Sequence, residues 1–403
     1  MRVDRVTHDL VVVGGGPVGL ATALYAVRCG LDVVVLEPRA GAVDKACGEG
    51  LMPVGVAALA DLDVHPQGRP FLGIRYLDGA RAADAPFPGR PGLGVRRTTL
   101  HAALRSRVEQ AGVEVLPLAA GTPTSGVDEP SYGDRARSGA HVSVPTTAAR
   151  GAAGPVVRGR YLVAADGLHS PTRTALGLAA AARQPFLGQR RGGLRPHELR
   201  QRELGQRELR HRELRHRELR RYGQRRHFAV APWTDRVEVH WGPTAEVYVT
   251  PVADDLVGVA VLSARQAPFA EQLADFTELR ERLGAALPAS DVRGAGPLRQ
   301  RTSARVAGRV LLVGDASGYV DALTGEGISL GLAQARAAVQ AVVADTPQAY
   351  ERSWRRLTWE HSLLTQGLVQ ITRPAWGRRA MVPAAAALPG VFSAVVRRLA
   401  AEH

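Results

Sequence analysis

The amino-acid sequence predicts an α/β protein: a Rossmann-like dinucleotide-binding domain of mixed or parallel sheet with helices, an antiparallel-sheet domain and C-terminal helices. The first domain is indicated by an apolar run, a glycine-rich turn, a helix-compatible segment and a second apolar run between Asp9 and Glu37. Alternating apolar residues across 228–264 indicate the antiparallel sheet. Segments from Gln348 onward are compatible with helices.

The glycine-rich turn has the spacing that a bound pyrophosphate requires. The run from Val11 to Val13 is β-branched, as in a strand that is buried on both faces. Gly14 permits a tight turn, Gly16 lets the backbone approach a ligand because it has no Cβ atom, and Gly19 lets the helix pack closely on the strand. The helix that starts at Pro17 offers free N–H groups and a positive dipole end to phosphates.

Glu37 ends the second strand, which is predicted at residues 31–36. A carboxylate at this place can accept hydrogen bonds from both hydroxyls of an adenosine ribose, and it would repel a 2′-phosphate. The unit therefore suits FAD or NAD rather than NADP.

Length and composition are those of a globular protein. The 403 residues leave room for two intermixed domains or one large domain with a subdomain. The two cysteines, Cys29 and Cys47, together with the absence of a secretory leader, predict a cytoplasmic protein without structural disulfides. The apolar stretch from Ala380 to Val396 contains two prolines and a glycine, so it predicts packed helices or a lipophilic surface with peripheral membrane contact, and no transmembrane segment.

The net charge of +14 is concentrated in one segment. Residues 190–226 hold fourteen arginines and five glutamates and supply +9 of it. Lys45 is the only lysine. Because no basic patch interleaved with aromatic residues accompanies the charge, no nucleic-acid partner is predicted. No metal site is predicted either.

Residues 196–220 form a repeat with a period of five: PHELR, QRELG, QRELR, HRELR and HRELR. The period places each of four glutamates four residues before an arginine. Each such pair stabilises a helix by about 0.3 kcal/mol. The segment is either a solvated helix or disordered. It acts as a docking element for an acidic partner or is an expansion tolerated in a surface loop; the second interpretation is favoured.

The remaining elements follow from local patterns. Residues 120–155 predict weak strands and a variable loop, and residues 265–290 are predicted to be helical. The antiparallel sheet is expected from the runs FAVAPW, VEVHWG with EVYVTPV, and LVGVAVL. Pro374, Pro383 and Pro389 are expected to break the C-terminal helices.

Asp166 and Gly167 form a second acid–glycine turn. The apolar strand YLVAA delivers Asp166 to this turn, and ligands of an α/β sheet bind at such strand ends. Ser170 can cap the helix that follows, and Arg173 can pair with Asp166 or with phosphate.

A third turn follows the strand RVLLV, at Gly314 and Asp315. The Asp315 carboxylate can accept a hydrogen bond from a ribityl hydroxyl. Gly325 and Gly327 allow the backbone to lie against a flat ring and to open a helix, whose N-terminus would stabilise negative charge at the N1–C2=O edge of a reduced flavin.

In this order the three motifs resemble the flavoprotein aromatic hydroxylase superfamily, the FAD-dependent monooxygenases, and its geranylgeranyl-reductase-like branch. The resemblance covers roughly residues 8–60, 90–180 and 295–345. It implies FAD, with the ADP half at the first turn and Glu37, and Asp315 on the ribitol. Asp166 and Gly167 match the motif that this superfamily uses for both FAD and nicotinamide. The cofactor-binding residues expected on this basis are Gly14, Gly16, Pro17, Gly19, Glu37, Arg97, Asp166, Gly167, Gly314, Asp315, Gly325, Glu326 and Gly327.

Arg97 enters this set through the segment VRRTTLHAAL, which begins at Val95. The segment matches the superfamily's pattern of an arginine followed by leucines three and seven residues later. An arginine that starts a helix whose Leu100 and Leu104 face inward can reach the pyrophosphate.

Two departures place the chain near the reductase-like branch. Many hydroxylases have histidine and proline where this sequence has Gly318 and Ala322. The segment from Asp44 to Leu51 resembles the Cys-Gly-x-Gly-Leu signature of the reductase-like branch, which makes Cys47 a candidate catalytic residue. The lysine and the Trp-x-Trp-x-x-Ile segment of halogenases are missing, so halogenation is not predicted.

The leading functional hypothesis is an NAD(P)H-driven monooxygenase. O₂ would form a flavin C4a-(hydro)peroxide that hydroxylates an aromatic, polyketide or quinone-like hydrophobic small molecule. One alternative is a flavin reductase that saturates prenyl double bonds, and another is a non-catalytic flavoprotein with a docking segment. The substrate is expected between the two domains, at Trp233, His240, Trp241 and Tyr248.

The expected domain boundaries follow the motifs. Residues 1–180 and 295–345 are the two parts of the FAD-binding domain, 181–294 the substrate domain with the repeat as an insertion, and 346–403 a helical segment. The oligomeric state is not predicted.

Overall fold

A computed structural model describes residues 7–79, 81–127, 140–180, 220–323 and 325–400 of the chain. Apart from Arg220, the five-residue repeat lies outside the described residues, so the alternatives of a helical, disordered or docking segment stay open.

Short and long strands alternate with helices along the chain. The strands are β1 (Thr7–Val13), β2 (Val33–Leu36), β3 (Gly50–Leu51), β4 (Arg69–Phe71), β5 (Gly73–Leu77), β6 (Ala82–Pro86), β7 (Gly92–Gly94), β8 (Glu114–Leu116), β9 (Ala119–Ala120), β10 (Thr124–Val127), β11 (Ala140–Val144), β12 (Thr146–Thr147), β13 (Val157–Ala164), β14 (Tyr222–Ala229), β15 (Val237–Trp241), β16 (Ala245–Ala253), β17 (Leu256–Ser263), β18 (Leu287–Pro288), β19 (Arg293–Ala295), β20 (Val306–Ala307) and β21 (Val310–Leu312). The α-helices are α1 (Pro17–Arg28), α2 (Pro53–Asp61), α3 (Arg97–Gln110), α4 (Pro171–Ala175), α5 (Phe269–Leu273), α6 (Thr277–Leu283), α7 (Gly327–Val343), α8 (Pro347–Thr372), α9 (Ala375–Ala387) and α10 (Pro389–Ala400), and Ala149–Gly151 and Gly314–Ser317 are 3₁₀ turns.

The first sheet confirms the predicted α/β class. Strands β8, β2, β1, β13 and β21 run parallel in that order, and β11 pairs antiparallel with the first half of β13. Because side chains alternate along a strand, Leu10 and Val12 pack with α1, α3 and α7 on one face, whereas Val11 and Val13 pack on the other. Burial on both faces explains the continuous valine run.

The topology brings the three predicted turns to one edge. Strand β13 lies between β1 and β21 and is parallel to both. The carboxyl ends of the three strands therefore lie side by side. Gly14, Asp166 and Gly314 follow these ends, as expected for a ligand site of an open α/β sheet.

The second sheet has the order β18-β14-β17-β16-β15-β5-β6, with β19 paired to β14. Its pairs are antiparallel except for β15 with β5. The predicted runs correspond to β14–β17, although β14 begins at Tyr222, before the predicted FAVAPW run. The chain already enters this sheet through β5 and β6, and the predicted domain boundaries stay a prediction.

One local prediction is confirmed and one was wrong. Residues 265–290, predicted to be helical, contain the two short helices α5 and α6, and a break at Phe276 lets apolar side chains of both helices reach the core under β14–β17. Pro383 lies inside α9, where it costs one backbone hydrogen bond while its neighbour Val382 is buried. Pro374 and Pro389 do mark helix ends.

Among the described residues, no single helix has the length and apolar character to cross a bilayer. Helices α9 and α10 meet those criteria as a pair, by length and composition only, and are bent by 102° at their junction.

Candidate functional site

A cavity of about 460 Å³ lies between the carboxyl edge of the first sheet, the second sheet and the C-terminal helices. Its polar end is formed by the predicted turns and by charged side chains around them, including Arg39, Lys45, Arg97, Asp166 and Asp315. Its other arm is lined by apolar residues of the second sheet and of α8–α10. The cavity therefore joins a charged compartment to an apolar one.

The first glycine turn has the geometry that its spacing predicts. Gly14 has φ +101°, and a Cβ atom there would lie 2.6 Å from the Ala165 carbonyl oxygen. A Cβ atom at Gly19 would lie 1.8 Å from the Gly14 carbonyl oxygen, so only glycine allows α1 to pack this closely. Gly16 and Pro17 line the cavity, so the N-terminus of α1 is directed towards it. The first turn of α1 has no acidic residue that would offset the positive end of the helix dipole.

Glu37 is paired within the protein, and its predicted contact with an adenosine ribose stays a prediction. Its Oε2 accepts a hydrogen bond from the Gly15 N–H at 2.8 Å, and its two oxygens accept from the Arg39 guanidinium at 2.7 and 2.8 Å. Burial opposes ionisation, but the hydrogen bonds from Arg39 and Gly15 outweigh it and lower the pKa of Glu37. Arg39, and not Glu37, lines the cavity. Because Arg39 places a positive charge at the cavity, the argument that Glu37 would repel a 2′-phosphate no longer holds.

Arg97 lies where the sequence predicts, at the first residue of α3. Its backbone N–H donates to Glu49 Oε1 at 2.9 Å, and its Nη2 is the atom nearest to the Cβ position of Gly16, at 3.9 Å. Its Nε is buried and donates to no described residue. The guanidinium therefore faces the glycine turn, and its Nε–H is an unused hydrogen-bond donor.

The second turn has a similar unpaired atom. Gly167 has φ +86°, and Asp166 Oδ2 accepts from the Thr172 N–H at 2.9 Å. The other oxygen, Oδ1, is buried and accepts from no described residue. Ser170 caps α4 as predicted, accepting from the Arg173 N–H at 2.9 Å.

Arg173 has a role that the sequence did not predict. It is buried, and its guanidinium donates to the carbonyl oxygens of Leu168, Asp315 and Ala316 at 2.8, 3.2 and 3.2 Å. Arg173 thus connects the second and third turns instead of hydrogen bonding to Asp166, and its expected pairing with phosphate stays a prediction. Buried carbonyl groups beyond the end of a strand lack backbone partners and need a hydrogen-bond donor from elsewhere in the chain. A buried arginine can supply that donor.

The third turn holds Asp315 at the cavity. Gly314 has φ +58°, and its N–H donates to Gln334 Oε1 at 2.8 Å. Gly325 and Gly327 line the cavity, and α7 begins at Gly327, as predicted. Glu326 does not line it. Its buried carboxylate is hydrogen-bonded to His361 of α8, so its side chain is directed away from the cavity, and its predicted contact with the cofactor stays a prediction.

Cys47 also lines the cavity, on the loop before β3. Burial raises the pKa of its thiol above the ordinary value, and the nearby Glu49 adds to this. Cys47 is therefore a thiol at neutral pH. On the same loop, burial lowers the pKa of Lys45, and Arg39 and Arg97 lower it further.

Of the four predicted substrate residues, the structure places one in the cavity lining: Tyr248, whose hydroxyl donates to the Leu323 carbonyl at 2.9 Å. Trp233 and His240 both hydrogen bond to Glu238, and Trp241 packs in the core. Strand alternation explains this for β15, since Val237 and Val239 face the cavity and His240 faces the other side.

The cavity residues that the sequence did not reveal are mostly small or aliphatic. They come from separate elements, and no motif joins them. The only sequence signal was the apolar stretch near the C-terminus, which contributes Met381, Ala385, Leu388, Val391 and Phe392 to the lining.

Comparison with known proteins decides the family. The sequence model of the FAD-binding domain family matches residues 136–349, more than half of the chain. This chain belongs to the FAD-binding domain family. FAD is its cofactor, and the chain is an FAD-dependent enzyme, an oxidoreductase. The match confirms the resemblance to the flavoprotein aromatic hydroxylase superfamily, and the place of the chain in the geranylgeranyl-reductase-like branch stays a prediction.

Two curated relatives carry the same name. The menaquinone reductase of Mycolicibacterium smegmatis is 29% identical over 374 residues, which cover 88% of this chain and 80% of that protein. The menaquinone reductase of Mycobacterium tuberculosis H37Rv is 34% identical over 187 residues, 44% of this chain. That alignment spans 41% of the M. tuberculosis protein, less than half of its length.

Solved structures agree on the fold. A flavin-dependent halogenase has a TM-score of 0.67 at 18% identity and covers 90% of this chain and 64% of its own. A geranylgeranyl bacteriochlorophyll reductase-like protein from Thermoplasma acidophilum has a TM-score of 0.62 at 19% identity and covers 91% of both chains. At these identities the comparison shows the fold alone.

The residues at the polar end fit FAD. Arg97 Nε and Asp166 Oδ1 are buried polar atoms without partners among the described residues, and each faces the cavity side of a glycine turn. Gly16 leaves open the space that a Cβ atom would fill in front of Arg97. A donor, an acceptor and a helix N-terminus at one strand edge are the groups that a flavin dinucleotide needs.

Asp315→Asn is expected to stabilise the FAD-free protein and to weaken FAD binding about tenfold, since a charged acceptor is lost. Burial raises the pKa of the Asp315 carboxyl, against neighbouring cations of which Arg97 is the strongest. A carboxyl with a raised folded-state pKa holds its proton more tightly in the folded chain. The free energy of unfolding therefore falls as pH rises from the ordinary value, about 3.9, through the folded-state pKa.

Thermal unfolding of the FAD-free proteins across pH measures this effect. The variant should gain most at neutral pH, and the gain should shrink towards pH ~4. Asp61→Asn, at an exposed aspartate that ends α2, is the control and should leave both properties unchanged. A lower unfolding midpoint for Asp315→Asn, or unchanged FAD affinity, contradicts this role.

Proposed function

We propose that this chain uses NAD(P)H to reduce a long, apolar small molecule of the quinone or prenyl class, with FAD as the bound cofactor. The observation that carries this proposal is the apolar arm of the cavity. It starts beside the third glycine–acid turn and continues between the second sheet and the C-terminal helices.

The arm suits a flexible hydrocarbon chain. Ile74, Val239, Leu298, Met381 and Phe392 line it, and they come from three separate parts of the fold. Burying a methylene group is worth about 0.8 kcal/mol, so an isoprenoid tail would bind strongly without any polar contact. A small polar substrate would leave this surface unused.

The curated relatives support the same substrate class, since both are named menaquinone reductases. The Mycolicibacterium protein aligns over most of its length, so the likeness extends beyond the cofactor motifs.

The residues of the polar end divide the work on FAD. Arg97 and the N-terminus of α1 would hold the diphosphate, Arg39 would lie at the ribose, and Asp315 would lie at the ribityl chain. Asp166 would contact FAD at the second turn. Bound FAD supplies two-electron transfer between NAD(P)H and the substrate and, with O₂, oxygen transfer. The apolar arm excludes water from the substrate.

A second candidate is hydroxylation of an aromatic, polyketide or quinone-like substrate with O₂. Five aromatic side chains in the lining favour a flat substrate ring: Phe71, Tyr76, Tyr248, Tyr319 and Phe392. Because both reactions use the same FAD site, the cofactor motifs do not distinguish them. A non-catalytic role is set aside, since the chain is an enzyme.

The deciding experiment measures NAD(P)H oxidation by the purified FAD-loaded protein with a panel of prenyl quinones, prenyl lipids and phenols, with and without O₂. Anaerobic turnover that yields a reduced product supports the reductase. O₂ consumption coupled to a hydroxylated product supports the monooxygenase. NADH and NADPH are compared in the same assay, because Arg39 removes the electrostatic argument against a 2′-phosphate. Absence of substrate-dependent turnover across the panel contradicts both.

Peripheral membrane contact and a cytoplasmic location complete the proposal. Helices α8–α10 line the apolar arm and also carry exposed large hydrophobic side chains: Trp359, Leu363, Ile371, Trp376, Leu388 and Val391. Exposed apolar side chains on these helices fit contact with a lipid surface that holds the substrate. Co-sedimentation with phospholipid vesicles supports the contact, and complete recovery in the supernatant contradicts it.

A further inference from the structure

The side chain of Tyr319 lies where the two compartments of the cavity meet. Its ring borders the third turn, since a Cβ atom at Gly327 would lie 3.3 Å from Tyr319 Cε2. The same ring packs against the apolar cluster that includes Leu298 and Leu323, both of which line the cavity. Tyr319 therefore stands between the glycine turn that is predicted to lie against the flavin ring and the apolar arm.

The backbone of Tyr319 is fixed by a pair of hydrogen bonds to Gln300. The Tyr319 N–H donates to the Gln300 carbonyl oxygen at 3.0 Å, and the Tyr319 carbonyl oxygen accepts from the Gln300 N–H at 2.8 Å. The two residues form an isolated antiparallel bridge. Because the backbone and the ring are already held, a ligand that contacts the Tyr319 hydroxyl orders little additional protein structure.

The Tyr319 hydroxyl is a free hydrogen-bond donor. The side chain lines the cavity, and its hydroxyl bonds to no described residue. The neighbouring Tyr248 differs, because its hydroxyl already donates to the Leu323 carbonyl oxygen at 2.9 Å. Burial raises the pKa of Tyr319 well above its ordinary value, and the nearby carboxylates of Asp315 and Asp321 raise it further. The phenol therefore keeps its proton at neutral pH and can donate it in a hydrogen bond to a ligand.

A free donor at this place favours a substrate with an acceptor on its ring. A ligand that covers the hydroxyl without pairing it leaves a desolvated polar group, which costs free energy. A quinone carries carbonyl oxygens on its ring, whereas the prenyl part of a lipid has no hydrogen-bond acceptor. When an isoprenoid tail lies in the apolar arm, the ring that carries the tail lies at the inner end of the arm, beside Tyr319.

We propose that Tyr319 is a specificity-determining residue that donates a hydrogen bond to a carbonyl oxygen of a prenylated quinone and holds the quinone ring at the inner end of the arm. This inference rests on the proposed function, and it narrows the substrate class to molecules that combine a ring carbonyl with an isoprenoid tail. The contact serves reduction and hydroxylation alike, since it acts on substrate binding. A hydrogen bond between neutral groups changes a dissociation constant by about two- to tenfold.

Tyr76 is a matched control within the same cavity. It also lines the cavity, and its hydroxyl likewise bonds to no described residue. Its ring, however, packs on Trp241 and on Phe392 of α10, with ring centroids 5.4 and 4.6 Å apart, so it lies in the apolar arm. Tyr76→Phe and Tyr319→Phe therefore remove the same atom from two different places in the cavity.

The test titrates the FAD-loaded wild-type protein and both variants in the absence of NAD(P)H, and follows the quenching of tryptophan fluorescence. One ligand is a prenylated naphthoquinone, and the other is the naphthalene that has the same tail and lacks both carbonyl oxygens. The preference for the quinone is the ratio of the two dissociation constants. We expect it to fall about fivefold in Tyr319→Phe and to stay unchanged in Tyr76→Phe. FAD content and the thermal unfolding midpoint monitor the fold.

Two results overturn this role of Tyr319. One is an unchanged preference for the quinone in Tyr319→Phe, and the other is an equal fall in Tyr76→Phe, which would indicate a general effect of cavity polarity. NAD(P)H-driven turnover of the same quinone by the wild-type protein is measured first. Its absence marks failure of the proposed function, whereas wild-type turnover together with an indifferent Tyr319→Phe variant marks failure of this inference alone.

Discussion

Arg97→Ala is expected to weaken FAD binding about 100-fold while leaving the fold intact. The Arg97 guanidinium faces the first glycine turn, and its buried Nε donates to no described residue, so its hydrogen-bonding capacity is available for the diphosphate. A hydrogen bond to a charged group is worth about 1.5–3 kcal/mol, which corresponds to roughly 10- to 150-fold in a dissociation constant. The dissociation constant is measured by flavin fluorescence on titration of the FAD-free protein.

Arg105→Ala on the same helix is the matched control. Arg105 pairs with Glu109 four residues later at the surface of α3, an interaction worth about 0.3–0.5 kcal/mol in stability. It faces away from the cavity and should leave FAD affinity unchanged. Equal effects of the two variants, or retention of wild-type affinity in Arg97→Ala, would remove Arg97 from the proposed diphosphate site.

Gly223→Phe is expected to block the apolar arm and lower kcat/KM for a long-chain substrate by about 30- to 1000-fold. Gly223 lies on β14 in the cavity lining, and a Cβ atom there would meet no atom within 4 Å. The phenylalanine ring can therefore enter the cavity without displacing the backbone. If the ring keeps one five-carbon unit of the substrate out of the arm, about 4 kcal/mol of favourable burial free energy is lost. The loss is about 2 kcal/mol if half of that unit is buried elsewhere.

The same substitution on the neighbouring strand provides the control. Gly294 on β19 is exposed and lies outside the cavity lining, so Gly294→Phe adds the same side chain to solvent. FAD affinity should be unchanged in both variants, and short-chain analogues should retain their kcat/KM in Gly223→Phe. Undiminished turnover of the long-chain substrate by Gly223→Phe would show that the substrate does not use the arm.

The parts of the site that were predictable lie in short segments whose spacing has one physical meaning. Gly14 and Gly19 are required because a Cβ atom would make contacts of 2.6 Å at Gly14 and 1.8 Å at Gly19. The acid–glycine turns at Asp166 and Gly314 follow apolar strands, and parallel strands present their carboxyl ends at one edge. Local pattern and topology together therefore fixed the polar end of the cavity.

Two predicted site residues have side chains that are paired within the protein and lie outside the cavity lining. Glu326 was expected at the cofactor, but His361, 35 residues later, takes its carboxylate. His240 was expected at the substrate, but its neighbour Glu238 is buried and requires a donor. The apolar arm combines β5, β15, β19 and α8–α10, and no local motif records that these elements meet. Such contacts depend on how the two sheets are positioned, which periodicity does not encode.

The most direct test of this account is the titration of the FAD-free protein with FAD, FMN and riboflavin in parallel. We expect one FAD per chain, bound at least about 100-fold more tightly than FMN, because the glycine turn, the α1 N-terminus and Arg97 act on the ADP half that FMN lacks. Equal affinity for FAD and FMN, or a folded protein that takes up no flavin, would contradict the convergence of the three turns on one dinucleotide.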